Sequence, residues 1–146
     1  MRATLFSDGA ARGNPGSAGI GLVIKNGAEV LFEGSAYIGK TTNNIAEYKA
    51  LIRGLEEALL LGVKEINCFA DSELLVKQIK GEYRVKNDGL IPLFNQLKTL
   101  IRRFQDFSIT HITRDKNKHA DDLANRGIDE YHLSAANKLI NSHPAS

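Results

Sequence analysis

Four acidic residues, Asp8, Glu47, Asp71 and Asp121, sit where a carboxylate is costly to leave alone. Asp8 follows the strand-like run Thr4-Leu5-Phe6-Ser7 and precedes the Gly-rich stretch Gly9 to Gly16. That pattern predicts a strand stopping at Asp8 and a chain reversal through Asn14-Pro15-Gly16. Asp71 closes a second strand-like run, Ile66 to Ala70. Glu47 lies one helical turn before Leu51, on a pattern in which Leu51, Gly54, Leu55 and Ala58 share a face, so it points along the apolar stripe. Asp121 shares a face with Ala124 and Ile128, whereas Asp122 falls with Arg126 and Asp129. Three of these placements have a plainer alternative. Asp8 can open a turn, and Glu47 can complete a capping box begun at Asn44. A first-turn acid can also complement the helix dipole, which suits Asp122 better than Asp121.

Taken together, the four acids are directed at one region, where like charges raise one another's pKa unless something positive lies between them. A hard divalent cation fits. Ligation by carboxylates alone points to magnesium or manganese and away from zinc. The histidines His111, His119, His132 and His143 have no metal-ligand spacing. Two such ions can activate a water and stabilise the leaving oxygen of a phosphodiester. Ser72 adjoins Asp71, yet no His is placed to activate it, so a covalent serine mechanism is the weaker idea. Cys68, the only cysteine, lies within the apolar run before Asp71 and reads as a buried structural thiol.

The elements that must position these acids follow from periodicity. Gly19 to Ile24 and Val30 to Ile38 read as strands joined by a turn containing Asn26-Gly27, making an antiparallel meander with the first strand. A helix follows from the capping cluster Thr42-Asn43-Asn44 to Leu61 and is stopped by Gly62. After the strand ending at Asp71 come a helix from Ser72 to Ile79, a polar connection from Lys80 to Leu90 and a helix from Pro92 to Phe104. A strand from Phe107 to Ile112 and a helix from Asn117 to Tyr131 complete the pattern. This is an α/β fold with a mixed sheet, in which Asp8 and Asp71 meet if their strands are parallel neighbours.

A chain of 146 residues with 42% hydrophobic and 25% charged content is expected to form one domain, residues 1–131, with a patternless and peripheral extension at 132–146. No membrane span or signal peptide is visible, so a cytoplasmic location is expected. A net charge of +2 is too small to announce nucleic acid. Lys77, Lys80, Arg84 and Lys86 nevertheless form a local basic excess.

These residues resemble the type 1 ribonuclease H family, in order, over roughly residues 2–130. The motifs are Asp8-Gly9-Ala10 with Arg12 to Gly16, Thr42-Asn43-Asn44-Ile45-Ala46-Glu47, Asp71-Ser72, and Asn117-Lys118-His119-Ala120-Asp121 with Asp122-Leu123-Ala124. The resemblance implies a five-stranded mixed sheet flanked by helices, and endonucleolytic cleavage of the RNA strand of RNA–DNA hybrids with two Mg2+ ions, Mn2+ being a possible substitute. Asp8, Glu47, Asp71 and Asp121 would be both the metal ligands and the catalytic residues. Asp71 would bridge the ions, Asp8 and Glu47 would share the first, and Asp8 and Asp121 would place the second. Products would carry 3′-hydroxyl and 5′-phosphate ends, and the protein would act as a monomer. Asn14, Asn43 and Asn44 would contact the substrate backbone, joined by Arg12, Lys77, Lys80 and Arg114, with the 2′-OH identifying the RNA strand.

There are departures from the family pattern. Many members carry a His in a longer loop before the last helix, whereas Ile112 to Asn117 is short and has none. Arg114 stands near that place and, being always protonated, can hold a phosphate and cannot act as a base. His119 is expected on the helix surface. The basic protrusion of some relatives is absent between Gly81 and Leu90. Two rival readings keep the fold: a non-catalytic hybrid-binding module, and a nuclease acting on DNA.

Overall fold

The computed structural model describes residues 1–142. Strand β1 (Arg2–Gly13) turns at Asn14-Pro15 into β2 (Gly16–Asn26). A tight turn with Gly27 at φ +62° leads into β3 (Glu29–Thr41). Helix α1 (Asn43–Leu60) ends where Gly62 takes φ +82°, a conformation that favours glycine, and crosses to β4 (Glu65–Ala70). Helix α2 (Glu73–Ile79), helix α3 (Ile91–Ile101), strand β5 (Asp106–His111), a 3₁₀ turn at Arg114–Asn117 and helix α4 (Lys118–Ser142) follow. The five strands lie in the order β3-β2-β1-β4-β5. The first three pair antiparallel, and β4 runs parallel to both β1 and β5, as expected.

One face of the sheet carries the main apolar core. Leu5, Ile20, Leu22, Ile24 and Ile66 bury their side chains with Leu51, Leu55 and Ala58 of α1 and with Leu97 and Leu100 of α3. Cys68 belongs to this core as an inert thiol, its pKa pushed up by burial. Helix α4 covers part of the other face, and it sits unusually close. A Cβ on Gly19 would overlap the carbonyl oxygen of Ala124, and one on Gly21 would overlap that of Ala120. Glycine on the strands and alanine on the helix bring the two backbones together, which fixes the height of α4 above the sheet.

Two expectations fail here. Strand β1 does not stop at Asp8: residues Gly9 to Gly13 stay paired with β2, from Asp8 opposite Gly21 to Gly13 opposite Gly16. What ends there is the parallel ladder, whose last pair is Ser7 with Ala70. Gly9 marks a close approach of α1, because a Cβ there would overlap the Ala46 and Glu47 backbone. The second concerns the end of α4, expected at Tyr131. Helix α4 runs past Tyr131 to Ser142, with residues 131–140 all exposed. Leu133, Ala135, Ala136, Lys138 and Leu139 favour a helix, and no Gly or Pro interrupts them. His143 and the rest of the extension lie outside the described residues.

Candidate active site

The strand that carries Asp8 loses its parallel neighbour one residue earlier, so the Asp8 carboxylate stands at a step in the sheet. Asp71 is the residue at which the chain leaves β4, and Ser72 caps α2 by accepting the Leu75 N–H at 3.2 Å. Thr42, and not Asn44, caps α1, its Oγ1 accepting the Ile45 N–H at 3.3 Å. Glu47 therefore plays no part in a capping box. Its side chain crosses to β1, where Oε1 accepts the Gly9 N–H at 2.9 Å. Oxygens of Asp8, Glu47 and Asp71 lie within 4.8 Å of one another. Asp121, near the start of α4, adjoins Asp8 but stands outside that three-acid group. All four acids line one polar cleft of about 370 Å³, together with Asn43, Ser72, Arg114 and Asn125.

Three of the acids are held through one oxygen. Besides the Gly9 contact of Glu47, Asn117 Nδ2 donates to Asp71 Oδ2 at 3.0 Å and to the Ser7 carbonyl at 2.9 Å, and Asn125 Nδ2 lies 3.3 Å from Asp121 Oδ1. Glu47 Oε2 is buried and has no partner. A buried orphan oxygen inside a group of carboxylates is what a site for a hard cation requires, and the all-oxygen donor set fits Mg2+ or Mn2+.

Asp8 and Glu47 are 4% and 3% exposed. Burial, reinforced by Glu47, holds the Asp8 carboxyl far above the usual carboxylate range. Burial also pushes Glu47 up to about 7, against hydrogen bonds from Asp8 and Gly9 that favour its ionised form. Without a cation, burial and mutual repulsion thus favour a protonated carboxyl in this pair. A carboxyl whose folded pKa exceeds its unfolded value of ~4 stabilises the fold at low pH and loses that contribution as pH rises. The metal-free protein should therefore melt at progressively lower temperature from about pH 5 to pH 8. Saturating Mg2+ should restore the melting temperature most at the upper end, and Asp8→Asn should flatten the metal-free profile. A melting temperature that rises with pH in the chelated protein would contradict this.

The structure does not bring every expected substrate residue to the cleft. Asn43 and Arg114 line it, and Asn14 stands beside Asn43, accepting its N–H at 3.2 Å. Asn44 is exposed. Lys77 is paired with Glu73 at 2.7 Å and lies over the Tyr83 ring, while Lys80 borders a hollow against β5. Arg12 is paired with Asp129. His119 is half exposed beside Glu33 at 3.1 Å, on the helix surface as expected. Nothing in the sequence alone assigns a role to Asn117 or Asn125. The spacing of Asn125, one turn after Asp121 on the same helix face, was the available signal.

A family model described as Reverse transcriptase-like matches residues 6–127. The chain is 40% identical over 138 residues to a bifunctional protein of Mycobacterium tuberculosis, an alignment covering 93% of this chain and 38% of that protein. The chain thus spans well under half the length of these mycobacterial relatives. It is 36% identical over 142 residues to a ribonuclease H of Pseudomonas savastanoi pv. phaseolicola, covering 86% of this chain and 92% of that protein. Among solved structures, the LC11 RNase H1 in complex with an RNA/DNA hybrid superposes with a TM-score of 0.85 at 44% identity, covering 88% of this chain and 98% of that one.

Proposed function

Because the chain belongs to the ribonuclease H family, we propose that it hydrolyses the RNA strand of RNA–DNA hybrids with two Mg2+ ions, for which Mn2+ can substitute. Its products carry 3′-hydroxyl and 5′-phosphate ends. The observation that carries this reading is the convergence of Asp8, Glu47 and Asp71 around the unpartnered Glu47 Oε2. When bound, the two cations lower the pKa of water and offset charge on the leaving oxygen.

In this reading Asp8, Glu47 and Asp71 hold one ion, while Asp8, Asp71 and Asp121 hold the other. Arg114, always charged and able to fork, grips a phosphate at the cleft wall. Asn43 and Asn14 lie side by side at the entrance, where amides can read the sugar–phosphate backbone and the 2′-OH, with Asn44 beyond them. Lys77 and Lys80, outside the cleft, offer charge to more distant phosphates. Residues 1–131 form the catalytic unit, and the exposed end of α4 adds no wall to the cleft. All four acids come from one chain, so a monomer suffices. Among the described residues no helix is long and apolar enough to cross a membrane, and a cytoplasmic location is part of the same reading.

Incubating end-labelled RNA–DNA hybrid, RNA duplex and DNA duplex with Mg2+ tests the proposal. Cleavage confined to the RNA strand of the hybrid, and lost on chelation, is expected. A clean preparation that leaves the hybrid intact, or cuts the DNA duplex equally well, would reject it.

A further inference from the structure

Arg12 looks like a substrate contact by its place in the sequence, but its guanidinium is already engaged. Nη1 lies 2.6 Å from Asp129 Oδ1, and Nη2 lies 3.3 Å from Asn125 Oδ1 and 3.4 Å from the Asn125 carbonyl. Asn125 in turn aims Nδ2 at Asp121, 3.0 Å from its carbonyl and 3.3 Å from Oδ1. Asp121, Asn125 and Asp129 stand one turn apart along α4, all facing the end of β1.

The chemistry of the three groups leaves one solution. A guanidinium only donates and an ionised carboxylate only accepts, so a single orientation of the Asn125 amide satisfies both neighbours. Asp121 calls for the NH2 end through both its carbonyl and its carboxylate, and Arg12 restrains the other end by donating to Asn125 Oδ1 at 3.3 Å. Without it the amide is tethered at one end only and can swing away from Asp121 Oδ1, the longer of its two contacts there. The other two tethered acids have no such dependence: Glu47 is held by a backbone N–H and Asp71 by the buried Asn117. Asp121 alone among them is aimed by a surface network, and it alone stands outside the three-acid group.

We infer that Arg12 and Asn125 are positioning residues that fix the Asp121 carboxylate against Asp8 and so set the affinity of the cation those two acids share. The inference rests on the assignment of Asp121 as a cation ligand.

The test uses the full chain with Asn125→Ala, Arg12→Ala and Arg12→Lys, all at partly or fully exposed positions, and thermal melts to confirm that each variant folds. Mn2+ binding is followed by calorimetry in the presence of a hybrid whose scissile position is blocked by 2′-deoxy substitution. Asn125→Ala and Arg12→Ala should weaken the weaker of the two binding events by about tenfold, the scale for residues that orient a metal ligand. The same variants should lower kcat at limiting Mg2+, regain it at high Mg2+, and keep the KM for hybrid within about twofold of wild type. Arg12→Lys should resemble Arg12→Ala, because an ammonium cannot fork between Asp129 and Asn125. An Arg12→Ala variant with unchanged Mn2+ affinity, a raised KM and a shallower salt dependence of hybrid binding would overturn the inference, making Arg12 a phosphate contact. So would Asn125→Ala that matches wild type throughout. Wild-type protein that cleaves no hybrid would defeat the enzymatic reading, while the Mn2+ comparison would still decide the positioning role.

Discussion

Replacing Asp71 by Asn should reduce hydrolysis of the hybrid by roughly a thousandfold, the scale for losing one charge-stabilising group from a reaction centre, without weakening the fold. The substitution keeps the shape of the side chain. An amide at position 71 would turn its oxygen to Asn117 Nδ2, which now donates to Asp71 Oδ2 at 3.0 Å. Its NH2 would then face Asp8 and Glu47, whose ligand oxygens lie within 4.8 Å. There it would donate hydrogen bonds where a cation is otherwise required. Repulsion among the acids falls, so the metal-free variant should melt at or above the wild-type temperature and gain little from added Mg2+. Hybrid cleavage rates and melts with and without Mg2+ check both halves. Residual activity within about tenfold of wild type would remove Asp71 from the centre of the reaction.

Gly9→Ala should damage both stability and activity. The added methyl would overlap the Ala46 carbonyl and the Glu47 nitrogen, which are backbone atoms of a helix and cannot swing aside as a side-chain tip can. Overpacking of this kind costs about 1–3 kcal/mol and sometimes more, and a backbone-on-backbone clash belongs at the upper end. The Gly9 N–H also donates to Glu47 Oε1 at 2.9 Å, so any retreat of α1 moves a carboxylate away from its site. Gly27→Ala is the control: its Cβ would meet nothing within 4 Å, leaving only the strain of φ +62°, about 1 kcal/mol. Chemical denaturation should rank Gly9→Ala well below Gly27→Ala, and only the former should lose cleavage in proportion. Equal stabilities would contradict the close contact of β1 with α1.

Much of the site was legible because helical periodicity reports direction. Glu47 and Asp121 fell on apolar stripes in the sequence, and both line the cleft. The crossover helix calls for β4 to run parallel to an earlier strand, and its pairing with β1 brings Asp8 and Asp71 together. The extent of β1 was not legible. A Gly-rich stretch reads as a turn, and only the tertiary approach of Ala46 shows why the strand needs glycine at position 9. The capping of α1 by Thr42 instead of Asn44 shifted Glu47 from a local partner to a distant one, a choice between adjacent capping residues that composition cannot make. Its motif alone makes Arg12 look like a substrate contact. Its engagement with Asp129 depends on where α4 lies across the sheet, a relation between residues more than a hundred positions apart.

The close seating of α4 on Gly19 and Gly21 bears on the order in which the protein is made. The helix that delivers Asp121 begins at Lys118, while the strand glycines it rests on are synthesised well before it. A nascent chain that has formed the sheet through β5 holds Asp8, Glu47 and Asp71 but lacks the fourth acid and the cleft wall that α4 contributes. Vectorial synthesis therefore completes the four-acid centre last. Until α4 docks, Asp121 and the cleft wall it belongs to are missing from beside the other three acids.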